Sequence, residues 1–343
     1  MKEIGSEFWS INLLDYENNL DYLNIGKDNK LLMSGRTAID YVLNEINDTK
    51  KIVYMPNYCC ESMIQPFIDN NYIIKYYDID IINNKYNIDC DIDCSIFFAM
   101  SYFGYNESNM DTYIERFNQR NIIVIEDITH RLLSKKNHCN KSTYLIGSLR
   151  KWFPIITGGI AVNLISKFKN TTYDYKFNSE FIELKIKAMN LKKAYIENKI
   201  NDKSEYLALF NETNCMIENY QNMQIDNISI NILKHLDINE IKNKRINNCK
   251  LIENKLINNK NIKLLYKYND GDCPLFVPIL LENRDSIREE LIKNNIYCPV
   301  HWPNFNDFNN KIYNKELSLI CDQRYSSDDV INYIDKLINI VGD

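Results

Sequence analysis

Between Ile122 and Val162 the sequence sets an acid pair, a histidine, a serine and a lysine at the ends of apolar runs. The strand-like run Ile122–Val124–Ile125 ends in Glu126 and Asp127, and His130 follows. A second run, Tyr144–Leu145–Ile146, ends in Gly147–Ser148–Leu149–Arg150–Lys151. Gly158 and Gly159 open a third, Ile160–Ala161–Val162. Strand ends are where open α/β sheets place ligands. A lysine amine condenses with an aldehyde only when neutral, so its pKa must fall from ~10.4 toward ~7–8. That fall costs about 4 kcal/mol, which burial and a nearby cation such as Arg150 can supply. An acid at a neighbouring strand end can hold a protonated ring nitrogen. At ~4 Å and an effective dielectric of ~20 such a pair is worth on the order of 4 kcal/mol. Lysine plus acid is what pyridoxal phosphate (PLP) requires. Against this stands a plainer reading: a lysine after a strand is most often a solvated surface residue.

The surrounding pattern supplies elements to position these groups. Ser34–Gly35–Arg36–Thr37 leads into a helical pattern with apolar Ala38, Ile39, Val42, Leu43 and Ile46, and Ser34 is a candidate N-cap. A glycine turn at a helix start is either a phosphate cradle or a plain cap. Ile52–Met55 reads as a strand ended by Pro56, and Asn57–Cys60 opens a helix through Ile68. Tyr72–Tyr77 and Ser95–Met100 read as strands, Tyr102–Tyr105 as a loop, and residues 109–120 as an amphipathic helix. This alternation predicts a mostly parallel sheet with crossover helices. Residues 175–220 read as long helices. Beyond residue 230 the pattern predicts a smaller α+β unit. Its strands are Lys263–Tyr266, Leu275–Leu281 and Ile296–His301; its helices are Asp285–Lys293 and Asp328–Ile340, the last capped by Ser326 or Ser327. Residues 1–33 read as an irregular arm, in which the aromatic Ser6–Trp9 segment packs on the body or on a partner subunit. The expected division is a large α/β domain, 1–229, and a C-terminal α+β domain, 230–343.

Several motifs together resemble a known family. Glu126–His130 (EDITH) is similar to the Glu-Asp-x-x-His/Gln motif of the DegT/DnrJ/EryC1/StrS family, the PLP-dependent sugar aminotransferases of fold type I. Ser148–Trp152 followed by Gly158–Gly159 resembles that family's Schiff-base lysine segment. Ser34–Ala38, Met55–Cys59, Tyr102–Gly104 and Asp322–Tyr325 match further pieces in the family's order, from about residue 30 to 340. The resemblance implies that Lys151 carries PLP and shuttles a proton, and that Asp127 holds the ring nitrogen. It also implies that His130 bonds the ring 3-oxygen and Ser148 a phosphate oxygen, with the phosphate against Gly35, Arg36 and Thr37. Arg36 is unusual there and is open to a substrate or salt-bridge role. Tyr58, or on a strict alignment Cys60, would cover the ring; Tyr102, Tyr105 and His301 would lie near the substrate. The implied activity moves an amino group from glutamate to a keto sugar, nucleotide-linked, in surface-polysaccharide or related sugar biosynthesis. A homodimer would share its active sites. Two alternatives are a PLP-dependent sugar dehydratase, in which relatives replace the lysine by histidine, and a non-catalytic PLP- or ligand-binding relative. One departure concerns the Gly-x-Asn-x-Arg-Met element usual in such proteins, which residues 175–220 lack.

Composition bounds the remaining possibilities. The 343 residues suffice for a sizeable core, and 45% hydrophobic with 25% charged residues are ordinary globular values. A net charge of −5 without a basic cluster argues against nucleic acid. No apolar run approaches the ~18–20 residues of a membrane span. The ten scattered cysteines, with an N-terminus lacking an apolar leader, point to free thiols in a reducing cytoplasm. Cys90 and Cys94 could form half a metal site, but no second pair has matching spacing, and no metal is expected.

Overall fold

The computed structural model describes residues 3–15, 17–83, 85–106, 109–169, 177–302 and 312–342. Its first half comprises β1 (Ile4–Gly5), β2 (Asp28–Leu32), α1 (Gly35–Glu45), β3 (Ile52–Pro56), α2 (Glu61–Asp69), β4 (Ile73–Asp80), β5 (Lys85–Asn87), β6 (Ile96–Met100), α3 (Met110–Gln119), β7 (Ile123–Asp127), β8 (Tyr144–Ser148) and β9 (Gly159–Asn163). Eight of these strands form one sheet in the order β2-β9-β8-β7-β6-β3-β4-β5. The pairs β3–β4, β3–β6, β6–β7 and β7–β8 are parallel. β9 runs against both its neighbours, and β5 against β4. Every residue of β6 is buried, as in a strand covered on both faces. Successive side chains on a strand point opposite ways. So Phe98 meets Phe67 of α2 on one face (5.6 Å), and Phe97 stacks on Phe117 of α3 on the other (4.1 Å).

The chain leaves β3 toward β4 but leaves β6, its neighbour, toward β7. That reversal opens a crevice at the carboxyl ends of the strands. The same end carries the last residues of β7 and β8 and the first of α1.

The second half comprises α4 (Ser179–Ile196), α5 (Ser204–Met216), α6 (Asn227–Lys234), α7 (Ile238–Leu256), β10 (Lys263–Leu264), β11 (Val277–Leu280), α8 (Arg284–Lys293), β12 (Ile296–Tyr297), β13 (Glu316–Leu319) and α9 (Ser327–Val341). β10, β11 and β13 form a separate antiparallel sheet. α9 begins with a complete capping box, Ser326 with Asp329. The expected division at residues 229/230 falls inside α6. Asp226 and Ser229, in its cap and first turn, tie it to Ile156 and Thr157 of the large unit. No helix among the described residues is long and apolar enough to cross a membrane.

One expectation about the arm needs correction. Residues 1–33 are not wholly irregular, because β2 pairs with β9 from Asp28↔Asn163 to Leu32↔Gly159. Its polar half, Asp28–Lys30, conceals it, since an edge strand need not alternate cleanly. Tyr102–Tyr105 is a loop, as expected, and all four of its residues are buried. The Ser6–Trp9 segment packs on its own chain, Phe8 and Trp9 against Arg324 and Trp9 edge-on to Tyr325. β1 pairs with β12 and so anchors the arm to the C-terminal unit.

Candidate active site

Strand alternation separates the two acids at the end of β7. Glu126 points away from the crevice and is held by the Cys139 amide (2.9 Å) and the Ser142 hydroxyl (2.6 Å), with Arg131 at 3.9 Å. Burial pushes its carboxyl up to about 7 despite those bonds. Asp127 faces a cleft of about 160 Å³ and accepts the Thr129 amide at 2.7 Å. Burial raises its pKa as well; Thr129 and the charge of Lys151 oppose that rise.

His130 follows one turn later and is fully buried. Its Nδ1 accepts the Phe103 amide at 2.9 Å, so the ring proton belongs on Nε2. That Nε2 is buried with no hydrogen-bond partner among the described residues, and His130 lines the same cleft as Asp127. Burial first, then Lys151 and His301, keeps the imidazole neutral. An unsatisfied buried donor is costly, and a ligand oxygen in the cleft would satisfy it.

The first turn of α1 closes another side of the cleft through Ser34, Gly35 and Arg36. Ser34 caps the helix as expected, its hydroxyl accepting the Thr37 amide at 3.2 Å. The amides of Gly35 and Arg36 have no intrahelical acceptor and carry the positive end of the helix dipole. Gly159 allows this turn to approach the sheet. A Cβ there would lie 2.0 Å from the Ser34 carbonyl oxygen. Opposite, β8 ends in Ser148, whose amide is held by the Thr129 hydroxyl at 3.0 Å, and a 3-10 turn carries Leu149–Lys151. Trp152 fixes that turn by donating its indole N–H to the Thr129 carbonyl at 2.6 Å.

Lys151 borders two cavities: the cleft and a larger space of about 520 Å³. Arg150 and Ser148 also line both. The Lys151 side chain makes no hydrogen bond or ion pair among the described residues. The larger cavity is rich in cations. Arg324 is paired with Asp322 (2.7 Å) and Glu7 with Lys185 (3.2 Å). Arg150 and Arg288 have no carboxylate within ion-pair distance among the described residues, and Nε of Arg150 is buried without a partner. Ser6, Glu7 and Phe8 of the arm wall this cavity, as do His301 and Phe276.

A carboxylate, an unpartnered imidazole N–H, open helix amides and an unpaired lysine around one cleft fit PLP's ring nitrogen, ring oxygen, phosphate and aldehyde. No protein-family model matches the sequence, and no curated protein sequence does. Solved structures do. Helicobacter pylori PseC, an aminotransferase involved in the biosynthesis of pseudoaminic acid, aligns with a TM-score of 0.67 at 14% identity over 99% of both chains. The putative sugar aminotransferase Spr1654 from Streptococcus pneumoniae, in its PLP form, gives 0.67 at 12% identity, covering 99% of this chain and 98% of that one. A DegT DnrJ EryC1 StrS aminotransferase from Brucella abortus gives 0.63 at 14%, over 94% and 88%.

The fold is that of the sugar aminotransferases.

Within this sugar-aminotransferase fold, Gly35, Arg36, Asp127, His130, Ser148 and Lys151 gather at one cleft. His301 joins Lys151 at the larger cavity. Four sequence candidates lie elsewhere. Tyr58 is fully buried, its hydroxyl donating to the His301 carbonyl and its ring packed against Tyr102, Trp302 and Tyr313. Cys60, the alternative, reaches the cleft instead. Tyr102 donates to the Tyr58 carbonyl at 2.7 Å, and Tyr105 stacks on Tyr266 at 5.1 Å; neither lines the cleft or the larger cavity. Thr37 gives its hydroxyl to the Tyr220 carbonyl at 2.9 Å and is buried behind the helix turn. Pro303, two residues after His301, lies outside the described residues.

Thr129, which orients both Asp127 and Ser148, and Arg288, which lines the larger cavity, were not among the residues expected at the site. Thr129 occupies an unspecified position of its motif, and Arg288 looks like an ordinary charge on α8. Asp322–Tyr325 is structural: Arg324 donates to the carbonyls of Gly5, Ser6 and Glu7, and Gln323 joins Arg245 to the Trp152 carbonyl.

Proposed function

We propose that this chain is a PLP-dependent sugar aminotransferase. It takes an amino group from glutamate and passes it to a keto sugar linked to a nucleotide, in surface-polysaccharide or related sugar biosynthesis in the cytoplasm. The observation that carries this reading is the meeting of Lys151, Asp127 and the unpartnered Nε2 of His130 in one cleft. The amine of Lys151 would hold the cofactor aldehyde and, when free, carry a proton on Nζ. The carboxylate of Asp127 would accept the ring N–H, and Nε2 of His130 would donate to the ring oxygen. The amides of Gly35 and Arg36, with the Ser148 hydroxyl, would hold the phosphate. When bound, PLP supplies an electron sink for the carbon that loses its proton. Burial of Asp127 and His130 excludes water from the polar contacts and strengthens them. Arg150 and Arg288, neither in an ion pair among the described residues, support an anionic substrate in the larger cavity, which accords with a dicarboxylate donor and a nucleotide-linked acceptor. A lysine at position 151 speaks against the dehydratase reading.

The test is release of 2-oxoglutarate when the PLP-loaded protein meets glutamate. Formation of 2-oxoglutarate supports transamination. A stable cofactor adduct with every donor, and no keto acid, contradicts it and favours a binding protein. The reading includes a homodimer with sites at the interface, expected to bury more than ~2,000 Å². Light scattering at micromolar concentration checks this: a fully active monomer overturns it.

A further inference from the structure

Glu316, on β13, is a fully buried carboxylate that none of the roles above uses. Among the described residues no cation lies within ion-pair distance of it. The nearby Arg284 gives its guanidinium to the backbone carbonyls of Glu316 (2.8 Å) and Tyr313 (2.9 Å) and to Asp285 (2.6 Å). Burial pushes the Glu316 carboxyl up to about 8. Such a group is expensive to keep ionised and is a natural proton store.

Its two oxygens are tied to the wall of the larger cavity. Oε2 accepts the His301 amide at 2.7 Å, and Oε1 accepts the Ser318 hydroxyl at 2.5 Å. The Ser318 oxygen lies 2.8 Å from Nδ1 of His301. All three residues are buried. The other ring nitrogen of His301, Nε2, has no hydrogen-bond partner among the described residues, and His301 borders the cavity that Lys151 borders. Two proton arrangements satisfy this network. With Glu316 ionised, Ser318 donates to Glu316, Nδ1–H donates to Ser318, and Nε2 carries a lone pair. With Glu316 protonated, the donations reverse and Nε2 carries the hydrogen.

We propose that His301, Ser318 and Glu316 form a proton relay that takes a proton from the ammonium group of the amino donor in the larger cavity. The proposal rests on the aminotransferase reading above. An N–H bond of the ammonium breaks as Nε2–H forms; Nδ1–H breaks as a Ser318 O–H forms; the original Ser318 O–H breaks as Oε1–H forms on Glu316. One cation and one carboxylate become two neutral groups, and the donor becomes a nucleophilic amine. Burial disfavours imidazolium, as does the charge of Lys151, so the proton does not rest on His301. The other titratable groups facing the relay are Tyr58 and Cys298 near Glu316, and His130, whose ring centroid is 5.7 Å from that of His301. His301 would touch the donor and is the catalytic member; Ser318 and Glu316 act through it.

Nitrogen-15 NMR of histidine in the full-length protein, with His301→Asn to assign the signal, reads the relay without turnover. In wild type, His301 should change from the Nδ1–H to the Nε2–H tautomer as pH falls through about 8. In Glu316→Gln it should stay Nε2–H throughout. In parallel, the glutamate half-reaction of Glu316→Gln and Ser318→Ala should be slower than wild type by on the order of 100-fold at pH just above 8, where Glu316 is ionised and the donor is still an ammonium. The deficit should shrink to a few-fold near pH 10, where the donor sheds its proton unaided, and Ser318→Thr should restore the rate. A deficit equal at all pH values, or a His301 tautomer that ignores Glu316, overturns the relay while wild-type turnover still upholds the aminotransferase. A wild type inert to every donor overturns the aminotransferase reading, and the tautomer change then decides the relay by itself.

Discussion

At the scale of single residues, the candidate site is a set of polar groups whose protonation is decided by what touches them. Nδ1 of His130 is occupied by the Phe103 amide, so Nε2–H faces the cleft. Asp127 is held at one oxygen by Thr129. Asp127→Asn is nearly isosteric and should fold and still bind PLP, but it removes the acceptor for a ring N–H. Its kcat should fall on the order of 100-fold or more; steady-state kinetics beside PLP titration checks this, and near-wild-type turnover would make the acid structural. That Asp127, His130 and Lys151 meet at one cleft was legible in the sequence because they stand at strand ends. Tyr58 was not correctly legible. Which residue of the loop after β3 rises into the cleft depends on Trp302 and Tyr313, which arrive from the far end of the chain and bury Tyr58. Glu316 and Ser318 gave no signal at all, because their meaning arises only when β13 sets them against His301.

At the scale of elements, the site depends on the close approach of α1 to β9. The Gly158 amide donates to the Met33 carbonyl (2.6 Å), and the Leu149 amide to the Gly158 carbonyl (3.1 Å). These bonds join the helix start, the glycine pair and the lysine turn. Gly159→Ala would drive a methyl into the Ser34 backbone. It should destabilise the fold by about 1–3 kcal/mol and weaken PLP binding together. Chemical denaturation and cofactor titration measure the two effects, and wild-type values for both would refute the packing argument. The central parallel strands were plain in the sequence because strands buried on both faces are unbroken apolar runs. β2 and β5 were not: both lie at sheet edges, where half the residues face water and polar side chains are tolerated.

At the scale of the whole molecule, the fold keeps buried acids that bear on stability. Glu126 and Glu316 titrate at about 7 and about 8 when folded, above their ordinary value of 4.5. A carboxyl raised on folding stabilises most below its unfolded pKa, and that contribution is lost as pH rises through the folded pKa. Wild type should therefore lose stability relative to Glu316→Gln between pH 6 and 8. At about 1.4 kcal/mol per pH unit the difference is on the order of 3 kcal/mol. Denaturant titrations of both proteins at the two pH values test this, and parallel curves would show Glu316 ionised throughout. The sheet as a whole brings Lys151 to Asp127, His130 and the start of α1. Borohydride reduction of the PLP-loaded protein followed by peptide mapping tests this arrangement. A single phosphopyridoxyl label is expected on Lys151; a label on another lysine such as Lys136, or none at all, would contradict the assignment.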